Sequence, residues 1–215
     1  MASDLSKVPL PLRKSLAALV MLAGLGGAAY LADDAARQEA QRNAYAQAVA
    51  ADAGTSAAVK IAMVMGHYYE SSNRHIGTPY IDKVGKGRPL TVCNGVTGPG
   101  VVAGRYYTPA DCYALERARY LRAETAAKQM LTRWSRYDPF TQATFIDFAW
   151  NKGETNFSTS TMRRKANAGD LLGACRENPR WNRGTVGGVS TVLPGLVIRG
   201  ESNDEICREW RLGGQ

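Results

Sequence analysis

A chain of 215 residues with 45% hydrophobic side chains can bury one good core with a tail to spare. The formal charge of +8 lies almost wholly beyond residue 70, but its Arg and Lys are scattered, with no helix-turn-helix, zinc-finger or RNA-binding signature. This argues against a nucleic-acid partner and suits attraction to an anionic wall or membrane surface. Two histidines, and four cysteines none of which has CxxC spacing, exclude a zinc site.

Residues 1–14 form a short polar segment ending in Arg13-Lys14. Residues 15–32 then carry no charge, and at ~1.5 Å per residue they span ~27 Å as a helix, barely a hydrocarbon core. Basic residues before the run and Asp33-Asp34 after it put the N-terminus in the cytoplasm and the rest outside. More than half of the run is Gly, Ala or Ser, which leaves three readings: a permanent anchor, a signal peptide cleaved near Ala28 or Ala29, or a weak segment that inserts and later slips out. The weak apolarity favours the third.

Residues 33–54 form an Ala-rich helical linker closed by Ala53-Gly54. Thr55 or Ser56 caps a helix over about 56–70, whose apolar positions include Val59, Ile61, Met63 and Val64 and whose last residue is Glu70. Gly and Pro punctuate 77–100, as expected for short strands and turns. Thr108-Pro109-Ala110-Asp111 opens a helix running to about Trp134, and further helices are expected at about 139–151, 159–166, 168–177 and 195–211. The whole reads as an α+β, mostly helical fold with a small β-hairpin lobe, preceded by an apolar export helix.

Cysteines 93, 112, 175 and 207 allow three pairings. Export favours disulfides over free thiols, and Cys93–Cys112 with Cys175–Cys207 would tie the hairpin lobe and the C-terminal helices. His67 reads as a packing or hydrogen-bonding residue and His75 as an exposed loop residue. The four tryptophans read as core, Ser71 and Ser72 lack a triad context, and the glycines around 85–100 form no phosphate cradle, so no cofactor is implied.

Two carboxyls in different surroundings remain. Glu70 follows an apolar run, where desolvation would help it keep a proton, and Asp82 stands near Lys83, Lys86 and Arg88, which would keep it charged. Glycosidic cleavage needs such a pair. The order Glu70, Tyr80-x-Asp82, Thr91-Val92-Cys93-x-Gly95 resembles the active-site segment of the phage-type lysozymes, glycoside hydrolase family 24. The gaps here, E-x11-D-x8-T, are each three residues longer than the family's, and loops absorb insertions at small entropic cost. Phe145 to Gly153 resembles the family's F-A-x-N-x-G helix end, Thr161 to Asp170 its N-x-G-D stretch, and Trp181 with Leu193 to Arg199 its closing helices, with Gly200 in place of an expected Arg.

The resemblance implies a catalytic domain over 55–215 and a muramidase acting on peptidoglycan glycan strands, with Glu70 as general acid, Asp82 as second carboxylate and Thr91 placing water. It also implies a phage endolysin with a signal-anchor-release segment at 15–32. Such a protein sits in the host inner membrane, N-in and C-out, passes to the periplasm and acts as a monomer that causes host-cell lysis. Secretion after signal-peptide cleavage, a non-catalytic peptidoglycan binder of the same fold, and a basic, membrane-tethered nucleic-acid or lipid binder stay open as alternatives.

Overall fold

The computed structural model describes residues 6–22, 34–82 and 88–209. Its centre is α3 (Ala57–Ser71), capped by Ser56, whose hydroxyl accepts from Val59 N at 3.2 Å. Val59, Ile61, Ala62, Met63, Val64 and Met65 are all buried, so this helix is covered nearly all round. Ser72 and Asn73 end it, both in the left-handed region at φ 54° and 63°, and turn the chain out toward the strands.

Two helices precede α3. In α1 (Leu10–Leu22), Leu12, Leu16 and Leu19 form one buried stripe against α3. The chain entering α1 is held by the Glu205 carboxylate, which accepts from Lys7 N and Val8 N at 2.9 and 3.0 Å. In α2 (Asp34–Ala51), Tyr45 and Val49 are buried and join the same core cluster. The region read as a membrane segment is therefore described only in part. Residues 15–22 lie in α1, packed on the body, and 23–32 fall outside the described residues. Among the described residues no helix is long and apolar enough to cross a membrane.

After α3, β1 (Tyr80–Ile81), β2 (Leu90–Val92) and β3 (Val96–Thr97) form an antiparallel sheet in that order, with Tyr80 opposite Thr91 and Val92 opposite Val96. α4 (Pro109–Met130) begins with the capping box Thr108–Asp111 and Pro109 in its first turn. It stops four residues short of the expected Trp134, and Trp134–Arg136 is a separate 3-10 turn. α5 (Pro139–Lys152) is capped by Asp138, packs against α3 and α4, and buries Phe140, Phe145, Ile146 and Phe148. Gly66 permits a close crossing, since a Cβ there would lie 1.8 Å from the Tyr120 hydroxyl.

Three short helices follow, α6 (Glu154–Thr159), α7 (Thr161–Ala168) and α8 (Leu171–Cys175). The sequence does not anticipate the next element, a hairpin of β4 (Arg183–Val186) and β5 (Val189–Val192) around Gly187-Gly188, both at positive φ as this tight turn requires. α9 (Pro194–Glu209) then returns across α5.

Disulfides join Cys93 to Cys112 and Cys175 to Cys207, the pairing expected from their positions. The second ties α8 to α9 across 32 residues. Replacing Cys175 and Cys207 together by Ala should lower the unfolding free energy by ~2–5 kcal/mol, read by urea titration under oxidising conditions.

Candidate active site

Glu70 sits at the penultimate position of α3 with its side chain 29% exposed. The apolar cradle expected from sequence is absent. Met63, Val64 and Met65 turn into the core, and Glu70 Oε1 instead accepts from Arg199 Nη1 of α9 at 2.6 Å.

Arg199 is itself buried. Its Nε and Nη2 donate to Asp147 Oδ2 and Oδ1 of α5 at 2.9 and 2.7 Å, a two-toothed pair that fixes the plane of the guanidinium. Asn203 Nδ2 donates to Asp147 Oδ2 at 2.7 Å, and Tyr69 Oη donates to Asn203 Oδ1 at 2.8 Å. The guanidinium also lies over the rings of Tyr69 and Trp150, at 4.9 and 5.3 Å. Burial works against its charge, but Asp147 and then Glu70 outweigh that, and Arg199 holds its proton more tightly than a free Arg. With Arg199 removed, Asp147 would be a buried charge without a cation.

Gly200, where the resemblance leads one to expect Arg, has a packing reason. A Cβ there would come within 2.9 Å of Asn178 O and Pro179 Cα, so only glycine lets α9 close on the 3-10 turn Asn178–Trp181.

Thr91 is in the central strand β2, 2% exposed, with its hydroxyl donating to Pro89 O at 3.1 Å. Asp82 follows β1 and is half-buried, its backbone N donating to the same Pro89 O at 3.0 Å. Its expected basic neighbours Lys83 and Lys86 fall outside the described residues. Tyr80 connects the two carboxylates electrostatically. Its hydroxyl is raised first by burial, then by the charges of Asp82 and Glu70.

Glu70 stands in the wall of two cavities. One, of about 820 Å³, is bounded by Asn94 and Gly95 of the β2–β3 turn, Arg119 and Arg122 of α4, and Trp150 and Asn151 of α5. The other, of about 1000 Å³, lies between the α3 exit, the loop through Arg74 and Gly77, and α2. Neither wall includes Asp82 or Thr91. Asn151 Oδ1 is buried without a hydrogen-bond partner, an acceptor left open beside the first cavity.

Behind the turn is a buried polar group of residues from four elements. Glu116 accepts from Tyr45 Oη at 2.6 Å and from Asn94 Nδ2 at 2.9 Å, and Asn94 Nδ2 also meets His67 Nδ1 at 3.0 Å. His67 stacks on Tyr45 with centroids 4.3 Å apart, in keeping with its reading as a packing residue. His75 is not simply exposed: half-buried, it bonds the Tyr107 carbonyl through Nε2 at 2.8 Å. Burial pushes the Glu116 carboxyl up and the His67 imidazole down to about 4.

An acid ending a central helix, a small antiparallel sheet beside it and a cleft between sheet and helical body make this a lysozyme-like protein. The family model described as phage lysozyme matches residues 70–203, and the chain belongs to that family. The SAR-endolysin of Bacteriophage PS119 is 37% identical over 131 residues, which is 60% of this chain and 72% of the relative. The endolysin of Escherichia coli O157:H7 phage FAHEc1 superposes with a TM-score of 0.61 at 18% identity, over 72% of this chain and 92% of that one. The active form of P1 phage endolysin Lyz does so with a TM-score of 0.58 at 19% identity, over 84% and 96%. At these identities the two structures show the shared fold.

The depressed His67 sets a pH dependence of stability. Between its ordinary value and about 4 the unfolded chain takes up a proton that folded His67 refuses, so stability falls as pH drops through that window. Glu116, raised in the fold, acts in the opposite sense, so the His67 part is read against a reference variant. The stability of the wild type minus that of His67→Gln should fall by ~2–3 kcal/mol between neutral pH and pH ~4, measured by urea unfolding at each pH. A constant difference would refute a buried neutral His67.

Proposed function

We propose that the protein is a phage endolysin, a muramidase that hydrolyses the β-1,4 bond between N-acetylmuramic acid and N-acetylglucosamine in peptidoglycan and so lyses the host cell. Membership of the phage lysozyme family and its SAR-endolysin relatives support this, and the matches do not favour a non-catalytic wall binder. The observation that carries the reading is Glu70, at the head of the matched segment and in the wall of both cavities.

In this reading Glu70 gives its proton to the leaving glycosidic oxygen. Arg199 keeps one carboxylate oxygen in a fixed position and leaves the other free for the substrate. Asp82 stabilises the cationic sugar or orients water, and Thr91 helps place that water. Thr91 lies in β2 and Asp82 directly after β1, both outside the two cavity walls.

We extend the proposal to export. Residues 15–32 insert N-in and C-out in the inner membrane and are later released, as the name of the SAR-endolysin relatives suggests. The same apolar side chains would then face lipid before release and the core afterwards, where Leu16 and Leu19 are buried.

Glu70→Gln keeps the size of the side chain and removes its proton. It should fold normally and lose ~10²–10⁴ of turnover on purified peptidoglycan. Mass spectrometry of the wild-type digest should show N-acetylmuramic acid at the new reducing ends. N-acetylglucosamine there, or a Glu70→Gln variant within about tenfold of wild type, would contradict the assignment.

A further inference from the structure

The second cavity has a wall that the family match does not contain. α2 spans residues 34–51, whereas the family model begins at residue 70. Yet Arg37, Gln38 and Gln41 of α2 line the same cavity as Glu70. Its volume of about 1000 Å³ is at the upper end of the roughly 300–1,000 Å³ typical of ligand pockets.

The wall is built rather than incidental. Gln38 Oε1 accepts from the His75 backbone N at 3.3 Å, and Gln41 Nε2 donates to the Tyr106 hydroxyl at 3.2 Å, so α2 is bonded to the loop at two points. Tyr106 stays 53% exposed although His75 meets its ring edge-on at 5.7 Å and Gln41 holds its hydroxyl. Gly77 beneath it admits no side chain, since a Cβ would lie 2.3 Å from Tyr107 O and 2.8 Å from Tyr106 Cε2. An aromatic ring held in place yet exposed, flanked by planar amides, offers an apolar face and fixed hydrogen-bonding groups together. Arg37 and Arg74, both at exposed positions, bring two guanidinium groups to the same wall.

We propose that α2 is a substrate-binding element. With Tyr106 and Arg74 it forms a subsite for the sugars on one side of the cleaved bond, and Arg37 and Arg74 read the carboxylates of the peptide stem carried by N-acetylmuramic acid. The proposal rests on the muramidase reading and assigns a binding role to a helix outside the matched segment. Tyr106 is the platform for a sugar face, and Gln38 and Gln41 serve hydroxyl and acetamido groups. The guanidinium groups suit carboxylates because each presents paired donors in one plane.

The test is binding of soluble, uncrosslinked peptidoglycan strands to the full chain carrying Glu70→Gln, by calorimetry, so that no turnover is needed. Strands with their peptide stems and strands stripped of them are compared. Adding Arg37→Ala and Arg74→Ala, both at exposed positions, should weaken binding of stem-bearing strands about tenfold and of stripped strands less than about twofold. Unchanged affinity for stem-bearing strands, or an equal loss on both, would overturn the proposal. Hydrolysis by the chain with Glu70 intact is followed in parallel. Its absence would count against the muramidase and not against this site, because the affinities are read independently of it.

Discussion

A guanidinium charge buried under the cleft floor is the constraint on which the rest of the site depends. Taking an ion out of water costs several kcal/mol even after relaxation, and the cost is offset only by close, well-directed partners. Asp147 satisfies two edges of Arg199, and the remaining Nη1 points to Glu70. Three helices must therefore meet at fixed distances, α3 bringing Glu70, α5 bringing Asp147 and α9 bringing Arg199. The restraints on α9 serve that meeting. The Cys175–Cys207 disulfide anchors its far end, Thr141 Oγ1 donates to Cys207 O at 3.0 Å, and Gly200 allows the contact with the turn at Asn178. Breaking any of these would move the guanidinium that holds Glu70.

The N-terminal helices are integrated with the same body. Val8, Leu12, Leu16 and Leu19 belong to one buried cluster with the residues of α3 and α5, and Tyr45 of α2 is held by Glu116 of α4. Glu205 of α9 receives the chain just before α1. Helix α9 thus supports the Glu70 carboxylate through Arg199 and the N-terminal segment through Glu205. The uncharged run that suggested a bilayer begins in α1, and there Leu16 and Leu19 are used for core packing.

What the sequence revealed, and what it did not, follows the range of the interactions involved. Local signals were readable: Ser56 and Thr108 as helix caps, Gly and Pro around the strands, and Glu70 ending an apolar helical run. The cysteine pairing could be narrowed because two bridges had to tie two different regions. Arg199 and Asp147 could not be given roles, because Glu70 and Arg199 are 129 residues apart and nothing in either segment marks the other. The expected apolar cradle failed for the same reason, since what surrounds Glu70 is decided by α9. The β4–β5 hairpin escaped notice because its strands are mostly exposed and lack a buried face to impose alternation, leaving Gly187-Gly188 as its main local mark. An uncharged run such as 15–32 is ambiguous in principle, because a bilayer and a protein core select the same side chains.

The central proposal is that Arg199, fixed by Asp147, holds Glu70 where the glycosidic oxygen will be. Arg199→Lys keeps the charge but cannot both grip Asp147 with two parallel bonds and reach Glu70. The decisive measurement is kcat and KM of Arg199→Lys on purified peptidoglycan, at a temperature where circular dichroism shows the variant folded. A misplacement of ~1 Å costs up to ~10²-fold, so kcat should fall ~10–100-fold with KM little changed. A folded Arg199→Lys variant with wild-type kcat would contradict the account.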